Sequence, residues 1–180
     1  MAESIKVPPH SLEAEKSVLG SVMIEKNAIV KIADMIHPED FYYDTHALIY
    51  TAIEELFSKR SPIDIITVGA WLKDNGKIDI VGGSAYLTQL CDEVLTASHV
   101  FQYAMIVKQK STLRKLLSAG SNIAALGYKE EQEVDDLVDQ AEQEIFKVSQ
   151  NFMRNKFIHI KDILNQTYEK ISDLHDPEAA

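Results

Sequence analysis

The sequence predicts an all-α protein in which a compact helical head is followed by a long, protruding αα-hairpin and a separate amphipathic linker helix. Apolar residues recur at intervals of three and four along nearly the whole chain, and residues that begin or end helices separate these segments. A long stretch without proline between Ser98 and Gly127, followed by a second apolar stripe, predicts the hairpin. We place the head at 1–97, the hairpin at 98–152 and the linker at 153–180.

The head begins with a rigid extended segment and a capped helix. Pro8 and Pro9 restrict the backbone, and Ser11 is a good N-cap. Glu13 and Glu15 put negative charge into the first turn, where it suits the helix dipole. The apolar residues that follow form one helical face: Leu12, Val18, Leu19, Val22 and Met23.

Further short helices complete the head. One follows Asn27 and is broken at Pro38, because proline disfavours helix at the residue before it. The predicted N-caps of the next three are Asp44, then Asp64 or Thr67, then Ser84. Lys77 to Val81 alternates polar and apolar residues and allows a short strand, although nothing obvious pairs with it.

Two long helices are predicted to form the hairpin. The first runs from Ser98, a good N-cap, to Gly127, and at ~1.5 Å per residue it is ~40 Å long. The second follows a short polar link. Its apolar residues have the 4, 3, 4, 3, 4 spacing of a heptad seam: Val134, Val138, Ala141, Ile145, Val148 and Phe152. This spacing keeps one stripe of the helix facing a partner helix.

The hairpin is expected to mediate self-association. A head of this size has a radius of gyration of only ~13 Å, so the hairpin overhangs it. The apolar stripe of the first arm, which includes Tyr103, Ile106, Val107 and Leu113, is too wide for one facing helix. The predicted self-association residues are Leu113, Leu116, Val134, Val138, Ala141, Ile145 and Val148. The alternative is a hairpin that folds back over the head.

Charge is distributed unevenly over the two arms. The chain has a formal net charge of −10, which argues against a stand-alone nucleic-acid binder. The first arm carries Lys108, Lys110, Arg114 and Lys115, whereas the tip and second arm are acidic. Arg114 and Lys115 are expected near Glu144. The tip acids outnumber their local counterions and indicate a basic partner, although a solvated charged face is the simpler interpretation.

The sequence contains no catalytic, cofactor or metal motif. A phosphate-binding loop needs glycine five residues before a Gly-Lys pair and a hydroxyl after it, but Trp71 and Ile78 flank Gly76-Lys77 at those positions. The six histidines lack metal-ligand spacing. A single cysteine, Cys91, and the lack of a long apolar run predict a cytoplasmic protein without a membrane segment.

The last predicted helix has an apolar side that it cannot bury alone. That side consists of Ile160, Ile163, Leu164, Tyr168, Ile171 and Leu174. We therefore expect it to dock on another domain or molecule.

Several segments, which follow one another along the chain in the same order as in the family, resemble the amino-terminal domain of bacterial DnaB-type replicative helicases. They are Pro8–Gly20, Pro38–Tyr42, Pro62–Val68, Gly82–Leu87, Tyr103–Val107, Leu113–Leu117, Ala141–Phe146 and Ile160–Leu164. The resemblance spans nearly the whole chain. It does not include the ATPase motor domain of such helicases, so ATP, magnesium and unwinding activity are not expected of this chain by itself.

The resemblance implies the collar of a homohexameric ring, built as a trimer of dimers with hairpins packed on each other. It also implies binding of a DnaG-type primase, contacts with a helicase loader in many bacteria, and contact with DNA only through the complete ring. The primase contacts of the family correspond to Tyr86, Leu117 and Ile123, for which core or dimer packing is the alternative role. The linker helix would dock on a neighbouring motor domain. A free-standing helical dimerisation or adaptor protein is the competing hypothesis, and a helical enzyme comes third.

Overall fold

A computed structural model describes residues 7–94, 96–129 and 132–153. Within these ranges the chain is all-α, as predicted, and contains no strand. The six helices are α1 (Leu12–Ile24), α2 (Asp44–Ser58), α3 (Ile65–Asp74), α4 (Gly83–Asp92), α5 (Val100–Leu126) and α6 (Val134–Met153). Three short 3₁₀ helices connect them: Ile29–Lys31, Pro38–Asp40 and Ala97–His99.

Helix α1 is the centre of the head and packs against α2, α4 and α5. Ser11 caps it as predicted, since its hydroxyl accepts the Ala14 N–H at 3.4 Å. Gly20 allows α1 to approach α4 closely: a Cβ at this position would lie 2.1 Å from the Leu90 carbonyl oxygen and 2.6 Å from Val94 Cγ2. Only a residue without a side chain fits this crossing.

The hydrophobic core of the head extends into the first part of α5. Val100, Ala104 and Val107 are buried in the same cluster as Leu19 of α1 and Leu90 of α4. The base of α5 is therefore fixed by the head, and only its second half stands beside α6.

Helix starts agree only in part with the predicted caps. Asp64 caps α3, and its carboxylate accepts the Ile66 and Thr67 N–H groups, each at 2.9 Å. The other three caps were wrong: the N-cap residues are Tyr43 for α2, Gly82 for α4 and His99 for α5. These helices begin where the preceding turns end, so Asp44 and Ser84 fall inside the first helical turn and Ser98 within a 3₁₀ helix.

Two predicted elements of the head are also different. The strand considered for Lys77 to Val81 is a turn, closed by the Val81 N–H donating to the Lys77 carbonyl at 3.3 Å. The helix expected after Asn27 is limited to the 3₁₀ helix Ile29–Lys31 and following turns. The predicted linker helix, with its apolar side at 160–174, lies outside the described residues.

Candidate interaction surfaces

Helices α5 and α6 form the predicted antiparallel hairpin. Asn122 Nδ2 of α5 donates to Glu144 Oε2 of α6 at 2.9 Å, and Ala119 borders the same depression as Val148. The half-buried residues of α6 mark the side that packs on α5: Leu137, Gln140, Ala141, Glu144 and Val148. The contact between the arms is therefore partly polar.

The predicted heptad stripe of α6 is divided between two surroundings. Ala141 and Val148 are half-buried against α5, whereas Val134, Val138 and Ile145 are 71%, 51% and 55% exposed. Only part of the stripe therefore faces α5. Its outer edge is open in the single chain.

Exposed and half-buried apolar residues of both arms lie on one face of the hairpin, where Ile123 is the half-buried one. At about 100° per residue, Ile145 is about a quarter turn from the side of α6 that contacts α5, and Leu116 and Ile123 are displaced similarly on α5. Because the arms are antiparallel, these displacements point to the same side. We call this surface the hairpin face; it consists of Leu116, Ile123, Val134, Val138 and Ile145. Leu113 and Leu117, 46% and 60% exposed, lie on the side of α5 away from α6.

A buried polar chain holds Tyr86 on the head. The Tyr86 hydroxyl is 2.7 Å from His46 Nε2, and His46 Nδ1 is 2.7 Å from Glu15 Oε2. Burial raises the pKa of Tyr86, so its hydroxyl stays protonated beside the His46 ring. Glu15 also accepts the Tyr42 N–H at 2.7 Å.

The sequence did not reveal this chain of hydrogen-bonded side chains, because Glu15 lies in the first turn of a helix, where acidic residues are common. Glu15 and His46 are each only 1% exposed, and residues 31 apart meet only once α1 and α2 have packed. The available signal was the position of Glu15, three and four residues before Val18 and Leu19 on the apolar side of α1.

Asp40 forms a second buried polar centre, at the base of α5. Its carboxylate accepts from Ser111 Oγ at 2.6 Å, Lys108 Nζ at 2.8 Å and Lys115 Nζ at 3.2 Å. Burial opposes ionisation of Asp40, but the hydrogen bonds from Lys108 and Ser111 and the two lysine charges outweigh it and lower the pKa. Asp40 thereby fixes the 3₁₀ helix Pro38–Asp40 to α5.

Comparison with known proteins identifies the domain that has this architecture. The family described as "DnaB-like helicase N terminal domain" matches residues 7–109, which is more than half of the chain. The chain belongs to this family. Its helical fold and lack of a phosphate loop are those expected of the N-terminal domain alone.

Relatives cover the chain almost completely. The Replicative DNA helicase DnaB of Geobacillus stearothermophilus is 42% identical over 173 residues, which are 96% of this chain and 38% of that protein. The protein of the same name from Haemophilus influenzae is 37% identical over 94% of this chain and 37% of its own length. The chain thus spans less than two-fifths of the curated relatives it matches.

Solved structures show the same fold. The crystal structure of the N-terminal domain of DnaB helicase from Mycobacterium tuberculosis is 38% identical, with a TM-score of 0.75, and the match covers 78% of this chain and 99% of that one. A DnaB-like replicative helicase, described with its interactions with primase, has a TM-score of 0.61 at 23% identity over 90% of this chain and 35% of that one.

The charges of this DnaB N-terminal domain differ from the prediction. Arg114 donates to the carbonyl oxygens of Pro9 and Asp40 at 2.8 and 2.7 Å, and Lys115 binds Asp40. Neither cation is paired with Glu144, whose partners are Asn122 and Lys147. Lys115 does border the same depression as Glu144, as predicted, but its ion pair is with the buried Asp40 carboxylate, and Arg114 is held by backbone carbonyl oxygens instead.

The three residues predicted to contact primase are not gathered into one patch. Tyr86 lies on α4 in the head, Ile123 lies at the hairpin face, and Leu117 points away from α6. The described residues contain no cluster of three potential metal ligands, and none of their helices is long and apolar enough to cross a membrane.

Proposed function

We propose that this domain is the collar of a ring-shaped replicative DNA helicase and that it associates with copies of itself through the hairpin face. The exposed apolar stripe on both arms carries this proposal. Val134, Val138 and Ile145 alone leave three branched aliphatic side chains more than half exposed. Burying such side chains stabilises an interface by about 1.5–3 kcal/mol each when burial is complete.

Two neighbouring residues of α6 give a sharp test of self-association. Ile145 lies on the hairpin face, whereas Phe146, 60% exposed, lies about 100° further round α6, on the side that points away from α5. We expect Ile145→Glu to lower the molar mass measured by light scattering at tens of micromolar protein, while Phe146→Glu leaves it as in the wild type. A monomeric wild type, or equal effects of the two variants, would contradict the proposal.

We further propose that the domain binds the C-terminal domain of a DnaG-type primase and that Tyr86 contributes to this contact. Support comes from the solved DnaB-like helicase that is described with its interactions with primase, and from the polar chain that holds Tyr86 at the surface. A large, rigid aromatic side chain with few freely rotating bonds suits a binding hot spot.

Calorimetry with the primase C-terminal domain tests this contact. Tyr86→Ala is expected to weaken binding at least tenfold and also to lower the unfolding temperature, because it leaves the buried Nε2 of His46 without its partner. Ile123→Ala is expected to lower both as well. Unchanged affinity of Tyr86→Ala would remove this residue from the site. A wild type that does not bind would remove primase binding from this domain.

ATP-driven unwinding, contact with DNA and any contact with a helicase loader are proposed for the assembled ring and not for this domain alone. The predicted linker helix, with its apolar side at 160–174, is proposed to dock on a neighbouring motor domain. A cytoplasmic location is likewise a prediction. The purified chain is expected to show no ATP turnover above background.

A further inference from the structure

Glycines inside the helices of the head face a neighbouring helix. A Cβ on Gly20 of α1 would lie 2.1 Å from the Leu90 carbonyl oxygen of α4, and a Cβ on Gly69 of α3 would lie 3.6 Å from Leu87 Cδ1, also of α4. Glycine weakens a helix relative to alanine, because it leaves the unfolded backbone more freedom. At Gly20 this cost is offset by the close crossing of two helices.

Gly120 lies inside α5 but has no such neighbour in the single chain. It is exposed, and a Cβ at this position would have nothing within 4 Å. Its φ is not in the left-handed region, so the backbone does not require glycine there either. Neither the conformation nor the packing of the single chain therefore accounts for a residue that weakens the helix.

Apolar side chains surround this gap in the side chains of α5. At about 100° per residue, Leu113 lies about 20° and Leu116 about 40° from Gly120 around the helix axis, and they are 46% and 55% exposed. A bare stretch of backbone framed by apolar side chains is a hole into which a side chain of another helix can pack. The residues around Gly120 on this side of α5 carry no charge: Leu113, Leu116, Leu117, Ile123 and Ala124.

The adjoining hairpin face carries side chains that fit such a hole. The hydrogen bond between Asn122 and Glu144 puts Gly120 about level with Ile145 of α6, which is 55% exposed. A hole and a projecting branched aliphatic side chain thus lie on adjoining parts of one surface. A surface with both features is complementary to a second copy of itself, as a two-fold symmetric dimer requires.

We infer that Gly120 is the point of closest approach between the hairpins of two copies of this chain, where an aliphatic side chain of the second copy packs against the backbone of α5. The inference rests on the proposed self-association and adds to it the residue that sets how closely the two hairpins pack. A side chain at position 120 would hold the hairpins apart.

A leucine at position 120 distinguishes close packing from apolar character alone. Leucine is a good helix former and finds open space there in the single chain, so Gly120→Leu should fold and should expose more apolar surface than the wild type. We nevertheless expect it to raise the dissociation constant for self-association at least tenfold in sedimentation equilibrium, because the hole is filled.

Ser121→Leu is the matched control. It adds the same side chain one residue further along, about 100° round α5 at an exposed position, and should change the dissociation constant less than twofold. Gly120→Ala, which adds a single methyl group, should have an effect between those of the wild type and Gly120→Leu. Circular dichroism and urea titration of the three variants establish that each is folded.

The outcomes separate this inference from the proposed function. If Gly120→Leu and Gly120→Ala associate as tightly as the wild type or more tightly, the close approach is refuted while self-association stands. If Ser121→Leu weakens association as much as Gly120→Leu, the effect is not specific to position 120 and the inference is refuted. If Gly120→Leu weakens primase binding and leaves self-association unchanged, the hole belongs to a primase contact, and the inference is again refuted. If the wild type is monomeric, both proposals fail.

Discussion

Asp40 shows how one buried carboxylate can organise two segments that are distant in sequence. It is fully buried, and the groups that bind it are Ser111, Lys108 and Lys115 from α5 and the His37 N–H at 3.1 Å. Because both lysines keep part of their side chains in solvent, they can return to water if the carboxylate is lost. The carboxylate of Asp40 has no such access to water, because it is fully buried.

We predict that Asp40→Asn lowers the free energy of unfolding by about 3 kcal/mol at neutral pH, the amount typical of a broken buried ion pair. The pKa of Asp40 is lower in the folded chain than in the unfolded chain, so ionised Asp40 stabilises the fold above about pH 3.9, the unfolded value. This stabilisation disappears as the pH falls through the folded pKa. Urea titrations should therefore show the gap between wild type and variant narrowing below about pH 3.9.

Glu39 provides the control for this prediction. Its carboxylate lies 3.6 Å from Lys115 Nζ, but its side chain is 66% exposed. Glu39→Gln should change the free energy of unfolding by less than about 0.5 kcal/mol, because exposed ion pairs contribute little. A loss as large as that of Asp40→Asn would mean that net charge, and not the buried site, determines the effect.

At the scale of elements, the crossing of α1 and α4 depends on a residue that has no side chain. We predict that Gly20→Ala destabilises the head by about 1–3 kcal/mol, the usual cost of overpacking, because the new methyl group meets the Leu90 backbone. Gly120 lies in the middle of α5 with open space around its Cβ position, so Gly120→Ala should stabilise the fold by about 1 kcal/mol. Denaturant unfolding of both variants would test the pair, and destabilisation by both would contradict it.

The sequence was sufficient to predict the six α-helices, but not the segments between them or the surfaces on which each helix packs. Ser11 and Asp64 were predictable as caps because their side chains accept backbone N–H groups. Gly82 precedes α4 in a left-handed backbone conformation and has no side chain to cap the helix, so this start could not be predicted from a capping residue. The heptad stripe likewise predicted an apolar seam on α6. It could not show that Ala141 would face α5 while Ile145 stayed exposed, since both have the same periodicity.

In the candidate sites, too, only features that depend on local spacing could be predicted from the sequence. An apolar stripe on α6 could be predicted from the spacing of its residues, and its role in self-association stays a prediction. The Glu15–His46–Tyr86 chain could not, because its three members come from α1, α2 and α4 and meet only in the packed head.

For the whole molecule, association through the hairpin face predicts that stability depends on concentration. Anything that binds only the folded chain raises its unfolding temperature by mass action. Scanning calorimetry over a wide range of protein concentrations should show a rising midpoint for the wild type and a constant one for Ile145→Glu. A midpoint that does not change for the wild type would show that folding and association are not coupled.

The placement of the cations at the base of α5 determines how the molecule responds to ionic strength. Helix α6 carries five acidic residues and one lysine, and its ion pair among the described residues is Glu144 with Lys147 at 2.6 Å. Two copies joined by the hairpin face bring these acidic helices together, and at low ionic strength they repel over roughly a Debye length, about 30 Å at 0.01 M. Added salt screens that repulsion while leaving the apolar contact intact. Dimers of this domain should therefore become tighter as salt is added, the opposite of an assembly joined by ion pairs.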